Sequence, residues 1–316
     1  MDKVVFFHMN QLGDLLFSLP VLKAARKEFE VKIYSIVRSD LSPLLTSTGL
    51  VDVVLPKEKK FMKNIKKEKF NKAVLFSESP VSLLSAYFAG IKDRIGFDTS
   101  SLSFLLTKKV QKIGVPSLLN NRKLGLAFGL KTIQSDYTNI LQIPEANLNN
   151  VKRWSRENNF NLSNVIAVSI GASKNRKGKC LVGTKWMTVI NILSDKGFNC
   201  VLLGIKSEKK FLSKIVQKCK IKSKLFIAEN NNILDSAALL KISSLFVGID
   251  SGTMHLAAAV GTKCVGVFGY TDPFQIGPMP FKKHIVVKRD SVSEITPEDI
   301  ISKVLKNDYL TLKNNM

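Results

Sequence analysis

Cysteine is scarce in this chain. The four present, Cys180, Cys200, Cys219 and Cys264, stand far apart and form no metal or redox motif. This spacing argues against a disulfide scaffold and fits a reducing compartment. Histidine is scarcer still, and His8, His255 and His284 lack metal-ligand spacing. Acidic residues are also few, 25 Asp and Glu against 48 Lys and Arg. No Asp-x-Asp pair occurs that could chelate a divalent ion. No apolar run approaches the roughly 18–20 residues of a spanning helix, and residues 1–7 turn polar too soon for a signal peptide. Dinucleotide (GxGxxG) and hydrolase-elbow (GxSxG) signatures are missing. The stretch 171–180 fails as a P-loop, with six residues between its glycines and Cys180 where a hydroxyl belongs. Low-complexity tracts and short repeats are absent too. These absences describe a cytosolic, soluble chain with no metal of its own.

A hydrophobic content of 45% excludes disorder as a description of the whole. At roughly 100–200 residues per domain, 316 residues suggest two domains. The formal net charge is +23 and is shared evenly between the two halves. Such an excess points to a polyanionic partner: nucleic acid, anionic lipid or a phosphorylated substrate. The densest basic run, residues 57–72 (KEKKFMKNIKKEKFNK), holds eight lysines and two glutamates. Phe61, Met62 and Ile65 lie at helical spacing within it. It is either a solvated helix face over a small buried stripe, or a basic amphipathic surface for an anionic membrane or ligand.

Apolar runs and periodic stretches alternate along the chain. Strands are expected over 4–8, 31–37, 51–55, 73–76 and 94–97, with helices over 15–29, across the Lys-rich run, and over 81–89. Residues 142–164 are polar and Asn-rich and read as a linker carrying one helical stretch. The pattern then restarts. Strands are expected over 165–170, 200–203, 225–228, 245–249 and 264–268, and helices over 184–194, 208–218, 233–241, 254–260 and 297–305. The last has Pro297 in its first turn and Thr296 as cap. The fold class is therefore α/β, with two successive units, 1–155 and 156–316, each a parallel sheet with helices on both faces. The closing helix is a candidate to pack back on the first unit. In such sheets ligands sit beyond the carboxyl ends of the strands.

Two loops each follow an expected strand and open a helix. In the first, Gly13 allows close approach and Asp14 stands near a helix start. Asp14 is either a plain cap or a general base at the edge of the sheet. In the second, a strand ends at Asp250, Ser251 and Gly252 form a small-residue turn, and a helix starts near Thr253. Backbone N–H groups at that start can hold a pyrophosphate. His255, in the first turn, either faces the ligand or is a satisfied structural histidine.

These residues carry a resemblance. The segment Asp250-Ser251-Gly252-Thr253-Met254-His255-Leu256-Ala257-Ala258-Ala259 resembles the donor-site segment of the ADP-heptose–lipopolysaccharide heptosyltransferases of glycosyltransferase family 9. Phe268-Gly269-Tyr270-Thr271-Asp272-Pro273 with Gly277-Pro278 is similar to the loop that follows it there. Leu12-Gly13-Asp14 with Leu19-Pro20, Arg94-Ile95-Gly96-Phe97-Asp98, and Gly171-Ala172-Ser173 match further segments in order. The resemblance implies two Rossmann-like domains facing across a cleft, the GT-B type. It implies inverting transfer of a heptose or related sugar, with Asp14 as the base on the acceptor hydroxyl. Ser173, Lys185, Asp250, Ser251, Gly252, Thr253 and His255 would line the nucleotide-sugar site, and Gly13 and Arg94 would lie on the acceptor side. No cofactor or metal is implied, in agreement with the missing Asp-x-Asp. One departure concerns the diphosphate lysine: Lys185 is adjacent to Trp186, and Met187 stands where the family has Pro. Lys185 or, in the longer loop, Lys177 or Lys179 would reach the diphosphate. This departure leaves open another nucleotide sugar, such as UDP-GlcNAc, as donor. Expected partners are the donor, the lipopolysaccharide core and the anionic inner face of the cytoplasmic membrane. The lesser alternatives are a non-catalytic nucleotide-sugar-binding relative and a nucleic-acid-binding protein, the latter although nothing resembles a nucleic-acid-binding module.

Overall fold

The computed structural model describes residues 2–58, 61–114, 116–171, 181–219, 223–228 and 232–306. The chain divides into two compact units, Met1–Gln142 and Ile143–Met316.

The first unit holds strands β1 (Lys3–Phe7), β2 (Lys32–Val37), β3 (Val53–Pro56), β4 (Lys72–Leu75), β5 (Asp93–Phe97) and β6 (Lys108–Val110). All pair in parallel in the order β3-β2-β1-β4-β5-β6. Parallel strands bury both faces, which is why β1 reads as an unbroken apolar run. Val5 and Phe7 join one core cluster with Phe61, Ile65, Leu83 and Ala86. These last four come from α3 (Phe61–Glu68) and α4 (Pro80–Phe88). Phe6 faces the other way and meets Phe128 edge-on at 5.7 Å. That layer is made by α1 (Leu12–Glu28), which runs through Pro20, packed on α5 (Ser117–Phe128). A five-residue helix, α2 (Ser42–Thr46), leads into β3. Within the Lys-rich run, Phe61 and Ile65 are buried and Met62 is exposed, so the buried stripe is narrow.

The second unit opens with α6 (Glu145–Glu157). The boundary therefore falls before α6 and not near residue 155. The polar character of 142–164 reads as a linker, but its amides are used in packing: Asn147 and Asn150 donate to the buried Asp235 carboxylate at 2.7 and 3.0 Å. Strands β7 (Val165–Ser169), β8 (Asn199–Gly204), β9 (Lys224–Ile227), β10 (Leu245–Ile249), β11 (Cys264–Phe268) and β12 (Ile285–Lys288) pair in parallel as β12-β11-β10-β7-β8-β9. Renumbered from one, this is the order of the first sheet, so each unit is doubly wound in the Rossmann manner. Helices α7 (Gly183–Asp195), α8 (Lys209–Lys218) and α12 (Pro297–Leu305) cover one face. α9 (Ile233–Ile242) and α10 (Gly252–Ala259) lie on the other, and a short α11 (Pro273–Ile276) follows β11. The closing helix α12 packs on α7, β11 and β12 of its own unit. Thr296 and Asp299 form a reciprocal capping box at its start. Among the described residues no helix is long and apolar enough to cross a membrane.

Candidate functional site

In a doubly wound sheet the strand order reverses at one point, and ligands collect beyond the carboxyl ends there. In the first unit this point lies between β1 and β4. In the second it lies between β7 and β10. Both singled-out loops stand at these points.

In the first unit the chain leaves β1 and enters α1. Gln11 is the N-cap, so Gly13 and Asp14 are the second and third helical residues and Asp14 is not the cap. Both are half-buried. The loop rests on His8, which is 2% exposed. Ser18 Oγ donates to the Leu15 carbonyl at 2.6 Å, so it accepts from His8 Nδ1–H at 2.8 Å. His8 Nε2 then accepts from Ser35 Oγ at 3.1 Å. The ring stacks on Phe76 at 5.4 Å. One neutral imidazole thus ties together the strand ends β1, β2 and β4 and the helix α1 that carries Asp14. Burial pushes its pKa down from 6.5 to about 3.

This shift has a consequence for stability. Below pH 6.5 the unfolded chain takes up the proton and the folded chain does not, so stability present at neutral pH is lost as pH falls toward 3. Between pH 7.5 and 5 the expected loss from His8 is about 2 kcal/mol. Urea titrations of the wild type and His8→Asn at both pH values check this, and the variant should show the smaller pH dependence.

Other charged groups at this edge include Arg38, bidentate to Asp40, Lys57, and Glu78 paired with Lys112. Lys57 is half-buried just past β3, its ammonium pKa lowered by desolvation. Arg94 is not among them. β5 begins at Asp93, which puts Arg94 near the amino end of its strand. Its guanidinium donates to the carbonyls of Ile91, Lys92 and Leu105 and lies over the Tyr87 ring. It binds backbone near the amino end of its strand, at the sheet edge opposite Asp14.

In the second unit β10 ends at Ile249. The buried Asp250 follows, and Ser251 caps α10 in an extended conformation. The Ser251 side chain bonds no helix N–H, and its buried Oγ has no hydrogen-bond partner among the described residues. Gly252 and Thr253 are the first two helical residues, half-buried, and their N–H groups have no acceptor within the helix. His255 lies one turn further in and is 4% exposed. An unsatisfied hydroxyl beside a helix start is a ready anion seat.

Lys185, in the first turn of α7, donates to the carbonyls of Ser293 and Ile295 at 2.7 and 2.8 Å. That segment lies against the end of β11, where only glycine fits: a Cβ at Gly269 would strike Val292. Two of its three ammonium donors are thus committed to backbone. Ser173, Lys177 and Lys179 lie outside the described residues. One acid was missed from sequence. Glu208, just past β8, turns its carboxylate against Gly171 and accepts from Ile205 N–H at 3.1 Å. The available signal was its place, an acid after the second strand of a doubly wound unit.

Comparison with known proteins gives the family. Residues 59–303 match the model of glycosyltransferase family 9 (heptosyltransferase). Lipopolysaccharide heptosyltransferase 3 of Escherichia coli is 32% identical over 96 residues, 30% of this chain and 28% of that protein, so the chain spans under a third of that relative. Lipopolysaccharide heptosyltransferase 2 of E. coli K12 is 21% identical over 306 residues, 90% of this chain and 87% of that one. The solved E. coli ADP-heptose lipopolysaccharide heptosyltransferase II superposes with a TM-score of 0.82 at 19% identity, covering 99% of this chain and 100% of that one, a likeness of fold. With the family model spanning well over half of its length, the chain belongs to glycosyltransferase family 9, the heptosyltransferases.

Proposed function

We propose that this protein is an inverting, metal-independent glycosyltransferase that moves heptose, or a related sugar, from an ADP-sugar to the inner core of lipopolysaccharide. The observation that carries the reading is the buried Ser251 hydroxyl, without a partner among the described residues, at the start of α10 and at the reversal point of the second sheet. A diphosphate there would receive the Ser251 hydroxyl and the N–H groups of Gly252 and Thr253. As the glycosidic bond breaks, charge on the leaving phosphate grows and these fixed donors stabilise it. Glu208 stands where an acid in such units accepts from ribose hydroxyls. Asp14 would take the proton of the acceptor hydroxyl as it attacks the anomeric carbon from the opposite side. Lys57 offers a cation to an acidic acceptor.

The family match and the relatives named for lipopolysaccharide heptose transfer support this reading. Metal independence rests on the missing Asp-x-Asp and on a donor seat built from backbone. The test is incubation with a panel of ADP- and UDP-sugars and truncated core acceptors, with and without EDTA, read by product mass. Transfer from an ADP-heptose, unchanged within about twofold by EDTA, is expected. Transfer abolished by EDTA and restored by a divalent ion would overturn metal independence. No transfer from any sugar would overturn the function.

A further inference from the structure

We propose that the outer surface of the α3–α4 layer in the first unit is a membrane-docking face that seats on anionic lipid. It deepens the reading above by naming the surface that brings the protein to a lipid-borne acceptor.

α4 has two apolar sides. Leu83 and Ala86 are buried in the core. Val81, Leu84 and Phe88 repeat at i, i+3 and i+7 on the outward side, with Val81 52% and Phe88 63% exposed. Tyr87 meets Phe88 edge-on at 5.5 Å and is itself exposed. α4 also packs on the turn Ser103–Leu105, which projects Phe104 at 70% exposure. Exposed aromatics grouped in this way mark an interaction surface, and aromatic rings are favoured at the headgroup level of a bilayer.

Charge selects the occupant. α3 packs beside α4 and exposes Lys63, Lys66 and Lys67 next to Met62. The one acid of the helix, Glu68, turns away and takes both Lys3 Nζ and the Tyr34 hydroxyl at 2.9 Å. None of the three lysines has an acidic partner among the described residues. A second copy of the same face would oppose lysine to lysine, whereas anionic headgroups neutralise them. Aromatic anchors beside uncompensated lysines are the composition of an interfacial membrane contact. The face also belongs to the unit that carries Asp14. The loop entering α4 is held to β1 by the N–H groups of Phe76 and Ser77, both bonded to the Phe7 carbonyl.

The test is co-sedimentation of the full chain with vesicles of phosphatidylglycerol and phosphatidylethanolamine, or of phosphatidylcholine alone. Binding to the first and not the second is expected, weakening as salt rises. The pair Phe88→Ser and Phe104→Ser, and separately the triple reversal Lys63→Glu, Lys66→Glu and Lys67→Glu, should each lower binding at least about tenfold. These residues are exposed, so the melting temperature should not move. Phe211→Ser, an exposed aromatic of the second unit, should leave binding intact. Equal binding to both vesicles, unchanged binding by the variants, or a dimer split by the Phe88 and Phe104 changes would each overturn the proposal. Transfer to a soluble truncated acceptor separates the two readings. If transfer persists without vesicle binding, only the docking face is wrong. If vesicle binding persists without transfer, only the enzymatic reading is wrong.

Discussion

Replacing Asp14 with asparagine is expected to lower the turnover number about 10²- to 10⁴-fold, the span attributable to one positioned base. The change keeps the shape of the side chain, but it replaces one acceptor oxygen by an amide donor and removes the charge and the proton affinity of the carboxylate. Donor affinity, measured by calorimetry, should change less than about threefold, because the proposed donor seat is in the other unit. Stability should fall by no more than about 1 kcal/mol, the worth of an acid in the first turn of a helix. The residue is half-buried in α1, which the Ser18–His8 bond ties to the sheet, so the backbone that presents it should stay in place. Turnover within threefold of wild type would remove Asp14 from the mechanism and leave its carboxylate a helix-terminus charge.

Trp186→Ala is expected to cost about 3–5 kcal/mol, the range for deleting a fully buried large aromatic. Trp186 is 0% exposed in the core of the second unit, among residues of α7, α8, α12 and the sheet. Trp186→Phe should behave differently. It leaves a smaller void, and it also removes an indole N–H that is buried with no acceptor among the described residues. An unmet buried donor costs about 1–3 kcal/mol. The two terms oppose each other, and the net change should stay within about 1 kcal/mol. The chain's two tryptophans, Trp154 and Trp186, both belong to the second unit, so wild-type fluorescence in urea follows that unit alone. In both variants Trp154 remains as reporter. The alanine variant should shift the fluorescence transition, while a first-unit phase followed by circular dichroism stays in place.

Parallel strands made much of this architecture legible. Runs such as Val4-Val5-Phe6-Phe7 are apolar on both faces, and the turns that follow hold the polar, small residues that a ligand edge needs. The parts that stayed hidden have physical reasons. β6 begins Lys108-Lys109 and is exposed there because it is an edge strand, so it lacks a buried run. α5 carries Gly125 in its interior, which reads as a breaker. In the fold a Cβ at that position would collide with Ile133, and the glycine lets the helix close on its neighbours. The His8 network spans separations of 10 and 27 residues, too far apart to look like a motif. Arg94 is singled out by its charge and by the resemblance, and neither shows the carbonyls of Ile91, Lys92 and Leu105 that hold its guanidinium. Lys185 lies in the expected helix turn, but its carbonyl partners come from a segment more than a hundred residues later.

The repeated strand order bears on how the chain is made. In each unit the first strand to emerge, β1 or β7, is central, and every later strand joins an edge already open: β2 on β1, β3 on β2, then β4 on the free side of β1, and β5 and β6 outward in turn. No strand has to insert between neighbours that have already paired. Assembly can therefore keep step with synthesis, and the first unit has every strand it needs before the second begins to appear. The edges left open at the end are guarded. Pro56 closes β3, Lys108 and Lys109 line β6, Lys224 opens β9 and Lys288 ends β12, residues that discourage a stray strand from adding there. Some of the lysine surplus thus keeps a slow-forming parallel sheet from recruiting its neighbours.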